Sequence, residues 1–337
     1  MLTAAAKITL ELATVKPWIY WTDLLATSAI AYGALAGSLL MPLGGWSITL
    51  AIVAMLAFYR AISFIHELTH IKASHLPGFA VAWNVLIGIP LMTPSFMYDD
   101  VHTLHHSRAS YGTSKDPEYL PLASMTPTAV ILFVFVAALA PVGLLLRFAL
   151  LGPLSTLSPR LRRSVVERYS ALAINPAFRR RLPTGRFRRE WLMLESGTSL
   201  WAVLLVSSTL AGLIEVRSLV TGMMIGSGIA VVNQVRTLAA HLWENESGEP
   251  MNLTAQYLDS VNVPPPAALP ALWAPVGLRY HGLHHLLPSL PYHALGEAHR
   301  RMTKQLGAGS TFPLGDHAGL RAVLDCIVPR RGRDRRT

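Results

Sequence analysis

Two apolar stretches near the start of the chain, Trp18 to Leu40 and Trp46 to Ile65, are each about 20 residues long, the length at which a helix crosses a hydrocarbon core of about 30 Å. Nothing else in the sequence constrains the fold as strongly. Inside a bilayer every backbone N–H and C=O must be satisfied within the segment, so such stretches fold as helices. Met41-Pro42-Leu43-Gly44-Gly45 between them reads as a tight turn. The first stretch is too long for a secretory signal and no small-residue cleavage site follows it, so it reads as a retained helix. Further apolar runs lie at Val81 to Met97 (broken by Pro90 and Pro94), Thr128 to Leu151 (with Pro141-Val142-Gly143 in its middle), Trp191 to Ile214 and Leu219 to Val235. The last two are separated by a four-residue turn, Glu215 to Ser218. With 52% hydrophobic and 14% charged residues, against about a quarter charged in soluble domains, the chain is neither a soluble domain nor disordered. No repeat runs along it, which excludes a solenoid.

The formal charge of +10 is carried mainly by arginine. Residues 158–190 hold ten arginines against two glutamates. By the positive-inside rule this loop faces the cytoplasm, and Lys7 and Lys16 place the N-terminus on the same side. No basic patch is interleaved with stacking aromatics, so nucleic-acid binding is not expected. Two out-and-back helix pairs satisfy this charge pattern. The 128–151 run then cannot be a simple single crossing, and its central Pro-Val-Gly suits a re-entrant or interfacial hairpin; a crossing misplaced elsewhere would restore the same parity. From residue 238 onward the chain is mostly cytoplasmic and ends in a basic tail, 329–337, suited to anionic lipid.

A single cysteine, Cys326, excludes both an internal disulfide and a cysteine-built metal site. Eight of the thirteen histidines fall into three compact groups: His66-Glu67-Leu68-Thr69-His70, His102-Thr103-Leu104-His105-His106 and His281-Gly282-Leu283-His284-His285. Spacings of three and four residues gather the imidazoles of each group on one side of a helix. Chance would give only about 0.02 occurrences of His-x-x-His-His in such a chain, and it has two. Eight imidazoles exceed what one ion can use, so two metals are implied. Redox iron fits best, because a closed zinc site takes four ligands and copper more often recruits Cys or Met. A competing reading takes His66-Glu67-Leu68-Thr69-His70 as a zinc metallopeptidase motif, two histidines on zinc with the glutamate as general base. It leaves six histidines without a task and finds no Leu-Asp-Gly, only Leu258-Asp259-Ser260, to supply a further ligand.

The three boxes, set among paired transmembrane helices, resemble those of the membrane fatty acid desaturase and hydroxylase superfamily from about Phe64 to Met302. Asp116-Pro117 is similar to the Asp-Pro that often follows the family's second box, and Leu278 to Pro288 resembles its last box with the trailing proline. The resemblance implies a non-haem di-iron site that activates O2 and attacks an unactivated C–H bond of an acyl or hydrocarbon chain. It also implies a ninth ligand at His241, after the last apolar run. The final box begins with His281 where many acyl-lipid desaturases have glutamine. The first box with Ile71-Lys72 is also similar to the alkane-hydroxylase branch, whose other motifs are absent. No cytochrome b5 signature, His-Pro-Gly-Gly, occurs, so electrons are expected from a separate donor of the ferredoxin, rubredoxin or cytochrome b5 type.

Neutral nitrogen ligands leave ferrous charge uncompensated, so carboxylates are expected to receive the imidazole N–H groups. Candidates are Glu67, Asp99, Asp100, Asp116 and Glu244. His75, His293, His299 and His317 belong to no box and are read as structural or solvated. The expected architecture is an all-α, multi-pass membrane protein, one integral-membrane domain over 1–337. It has about four transmembrane helices in two hairpins and a cytoplasmic cap carrying the metal site, with ligands His66, His70, His102, His105, His106, His241, His281, His284 and His285. The expected activity is O2-dependent desaturation of a fatty acyl chain, free, on CoA, on a carrier protein or in a lipid. Hydroxylation and oxidative decarboxylation to a terminal alkene are alternatives on the same site.

Overall fold

The computed structural model describes residues 1–327, so the basic tail at 329–337 lies outside the described residues. Among the described residues the chain is almost entirely helical, with isolated β-bridges and no strand. Five helices are long and apolar enough to cross a membrane: Pro17–Leu40, Gly45–His70, Pro127–Ser155, Gly185–Leu210 and Val216–Leu238. At 1.5 Å per residue even the shortest reaches about 34 Å. Most of each apolar window is left unburied by the protein itself, as expected of faces turned to lipid.

The chain groups into two compact units, each drawn from several segments. One comprises Met1–Lys16, Leu104–Val134 and residues from Asn233 onward; the other comprises Pro17–Thr103 and Phe135–Val232. Neither is a continuous stretch of sequence, so no linker marks a boundary.

In the second unit, Pro17–Leu40 and Gly45–Ile62 form a hairpin over the expected turn. Near the turn, Ser38 Oγ donates to the Ser47 carbonyl (2.8 Å) and Ser47 Oγ to the Ser38 carbonyl (3.0 Å). Toward the other end, Arg60 Nε donates to Asp23 Oδ1 at 2.8 Å. Gly185–Leu210 and Val216–Leu238 form the second pair, and here the turn lies earlier than the sequence suggested. Gly212 has φ +74°, Leu213 N–H donates to the Ser208 carbonyl (2.8 Å) and Gly212 N–H to the Thr209 carbonyl (3.1 Å). This pattern closes a helix C-terminus with a left-handed glycine, which ends the first helix at Leu210 rather than Ile214. Arg217 donates to the carbonyls of Ser38 (3.0 Å) and Met41 (2.6 Å), so the tips of the two pairs sit at one level.

The Pro127–Ser155 segment corrects the expected hairpin. It runs as one helical course with a 3-10 turn at Val136–Leu139 and a π turn at Arg147–Leu151. Pro141 removes an N–H from the helical ladder, and the preceding turn tightens rather than reversing direction. Ser227 Oγ donates to the Ala138 carbonyl (2.7 Å) beside this break.

In the first unit, the N-terminal helix Leu2–Leu12 packs on Tyr292–Leu306 through Ala4, Ala5 and Ile8. The same core takes in Leu283, Leu286, Leu295, Met302 and Phe312, and it backs the third histidine box.

Candidate metal centre

The third box forms the short helix His281–Leu286, buried throughout. Six residues are too few to hold a helix alone, and the support comes from the extended segment Ser260–Val263. Gly282 N–H donates to the Val261 carbonyl (3.1 Å), Leu283 N–H to Asn262 Oδ1 (2.8 Å) and Val263 N–H to the Arg279 carbonyl (2.7 Å). A Cβ on Gly282 would stand 3.0 Å from the Ser260 carbonyl oxygen, so glycine permits this close approach. On the other edge of the segment, Val261 N–H donates to the Ala240 carbonyl (2.9 Å) and Leu242 N–H to the Asp259 carbonyl (2.6 Å), bridging His241 to Ser260. One extended stretch thus carries His241 on one side and the third box on the other.

His105, His241, His281 and His285 are all buried, and each offers one nitrogen within 4.8 Å of the others. His281 Nε2 lies 3.0 Å from His241 Nε2 and 3.1 Å from His285 Nε2. Ligands about 2.1 Å from one ion stand about 3.0 Å apart at right angles but about 3.4 Å apart at the tetrahedral angle. Both spacings from His281 lie within reach of one ion, so the donor set fits a metal. Burial pushes the His241 and His281 imidazoles well below the ordinary histidine range, which keeps them in the neutral form that binds metal. Burial opposes protonation at His105 too, but the Asp116 carboxylate outweighs it and the net direction is up. His105 Nδ1 is 3.0 Å from both Asp116 oxygens, and Asp116, fully buried, also accepts the Gly112 (2.9 Å) and Glu118 (2.8 Å) backbone N–H groups. In the same unit His106 Nε2 is 3.1 Å from His284 Nε2.

In the second unit His66, His70 and His102 stand together, with ring centroids 4.5 to 5.0 Å apart. Tyr98 stacks on His102 and places its hydroxyl 2.9 Å from Nδ1. Glu67 accepts from the Tyr20 hydroxyl (2.5 Å), and its other oxygen is 3.6 Å from His66 Nδ1, outside hydrogen-bond reach. Asp99 and Asp100 are exposed; the Asp99 backbone carbonyl, not its carboxylate, accepts from Arg180. The Glu244 side chain is exposed as well, while its backbone N–H donates to Asp259 Oδ1 at 3.1 Å. The four unboxed histidines join neither group; His293 accepts from the Lys16 N–H and His299 pairs with Asp316.

The carboxylate beside His241 is Asp259, which sequence reasoning weighed only as a peptidase ligand. Its Oδ2 lies 3.8 Å from His241 Nδ1 and accepts from the Tyr111 hydroxyl at 2.8 Å. Tyr111 was also missed. The local sequence holds no signal for either, because the two partners are 148 positions apart.

A family model described as fatty acid desaturase matches residues 43–312, a stretch that contains all three boxes and His241. The chain belongs to the fatty acid desaturase family. A ceramide hydroxylase from Caulobacter vibrioides is 48% identical over 331 residues, which cover 97% of this chain and 92% of that protein. No solved structure matches. As a member of this family the chain is a membrane oxidoreductase that oxidises lipid at a histidine-ligated site, and the peptidase alternative falls with that assignment.

Proposed function

We propose that this protein hydroxylates ceramide, or a closely similar sphingolipid, using O2 at a pair of histidine-bound irons whose site faces the cytoplasm. The observation that carries the reading is the 48% identity to a ceramide hydroxylase along nearly the whole of both chains. His105, His241, His281 and His285 would hold one iron. His66, His70 and His102, which stand together, would hold the second. Two ferrous ions, when bound, supply the electrons and open positions with which O2 is made able to attack an unactivated C–H bond. The protein's part is to keep His241 and His281 neutral, to neutralise charge with Asp116 and to exclude water from a buried site. Electrons come from a separate donor of the ferredoxin, rubredoxin or cytochrome b5 type.

Desaturation is the second reading, favoured by the description of the matching family. Both outcomes begin with the same hydrogen abstraction, so substrate placement decides between them. Membranes containing the protein, supplied with ceramide, an electron donor and isotopically heavy O2, separate the two by lipid mass spectrometry. The expected product carries one heavy oxygen. A product that has lost two hydrogens and gained no label makes the enzyme a desaturase, and label on free fatty acid but not ceramide removes the sphingolipid assignment.

A further inference from the structure

The hydroxyl of Tyr111 and Ser260 Oγ are the two groups against His241 Nδ1, at 2.9 and 3.2 Å. Each has another obligation. Asp259 as a carboxylate can only accept, so Tyr111 gives its proton to Oδ2 at 2.8 Å. Ser260 Oγ donates to the Gln256 carbonyl at 2.7 Å. With both hydroxyl protons committed, the two oxygens can only accept from His241. Its Nδ1 must carry the hydrogen, and its Nε2 must be the bare lone pair that faces His281. The other oxygen of Asp259 is fixed as an acceptor by the Tyr119 hydroxyl (3.2 Å) and the Glu244 backbone N–H (3.1 Å). All of these groups are buried except at Glu244.

We propose that Asp259, acting through Tyr111, is the positioning group that fixes His241 with its proton on Nδ1 and so presents the Nε2 lone pair to the metal. The proposal rests on the reading that these histidines hold iron. It gives the one proposed ligand that lies outside any box an orienting partner, as Asp116 is for His105, but one relayed through a phenol.

The relay makes an unusual prediction for the isosteric change Asp259→Asn. Tyr119 and the Glu244 N–H hold the amide oxygen on their side, which turns the NH2 toward Tyr111. Tyr111 must then accept, and its own hydrogen swings to the nearer acceptor, His241 Nδ1, driving the imidazole proton onto Nε2 where metal should bind. Ser260 Oγ, 3.2 Å from the Tyr111 hydroxyl, is the competing outlet. Removing Tyr111 abolishes the reversal altogether.

The test is iron retention by the purified full-length protein against a graded chelator, with irons counted per chain and unfolding temperature followed in parallel. Asp259→Asn should weaken one of the two irons about 10–100-fold, the range for groups that orient a metal ligand. Adding Ser260→Ala should weaken it further. Tyr111→Phe should cost less than Asp259→Asn, because Ser260 still accepts from Nδ1. The Tyr111→Phe/Asp259→Asn double variant should return to the Tyr111→Phe level, a recovery that a merely structural role would not give. Asp259→Asn with wild-type iron affinity, or a double variant as poor as Asp259→Asn, overturns the proposal. Should Asp259→Asn fail to fold, Tyr111→Phe/Ser260→Ala leaves Nδ1 with no acceptor and must hold iron less well than Tyr111→Phe; equal retention overturns it. Wild-type protein that never retains iron overturns the metal reading itself, and this inference with it.

Discussion

Asp116 and Glu244 both read from sequence as carboxylates able to serve a metal ligand, and the fold separates them. Asp116 is buried and spends its oxygens on His105 Nδ1 and two backbone N–H groups, whereas the Glu244 side chain is exposed. Asp116→Ala should therefore lower the affinity for one iron by about 10–100-fold and Glu244→Ala should leave it unchanged, as read by chelator competition. Equal effects would mean that the carboxylate beside His105 does not serve the site. The boxes were legible because helical spacing of three and four residues is a local property. Tyr98, Tyr111 and Asp259 were not, because each is an ordinary residue made special only by what the fold brings against it.

At the scale of elements, length and hydropathy located the long helices closely, while their ends followed capping chemistry. Gly212 marks the true end of Gly185–Leu210, a signal present in the sequence but overridden by the apolar run continuing to Ile214. Pro141 suggested a reversal and produced only a local tightening, since the helix on either side continues its own hydrogen bonding. That leaves three apolar helices between His105 and His241, Pro127–Ser155, Gly185–Leu210 and Val216–Leu238. Because His105 and His241 belong to one cluster, an even number of these must cross. Gly185–Leu210 and Val216–Leu238 form a pair whose tip, through Arg217, meets the tip of the first hairpin. Charge parity then predicts that Pro127–Ser155, an unreversed helical course, lies along the membrane interface with both ends on the histidine side. A topology reporter fused near Arg186 should report cytoplasm, and one inserted at Arg217 the opposite face. An external Arg186 reporter would show that Pro127–Ser155 crosses and that the parity assignment fails.

Over the whole molecule, the cluster of His105, His241, His281 and His285 gathers chain regions far apart in sequence, and little regular structure holds them. The third box is a six-residue helix, and His241 and the box are joined through a four-residue extended stretch rather than a sheet. This is why the sequence showed the histidine boxes but not the scaffold between them, since isolated bridges have no periodicity to read. A metal bound by such a set acts as a cross-link that the unfolded chain cannot keep. A ligand present at a thousand times its dissociation constant stabilises by about 4 kcal/mol. That corresponds to about a thousand-fold in any opening that releases it. Stripping the metal with a chelator should accordingly speed amide hydrogen exchange at Leu242, Val261, Val263, Gly282 and Leu283 by up to about a thousand-fold. Amides in the middle of Gly185–Leu210, held by their own ladder and by lipid, should be unchanged. Uniform acceleration along the whole chain would instead make the metal a general stabiliser, and no change at the five amides would mean that the scaffold holds the histidines in place without it.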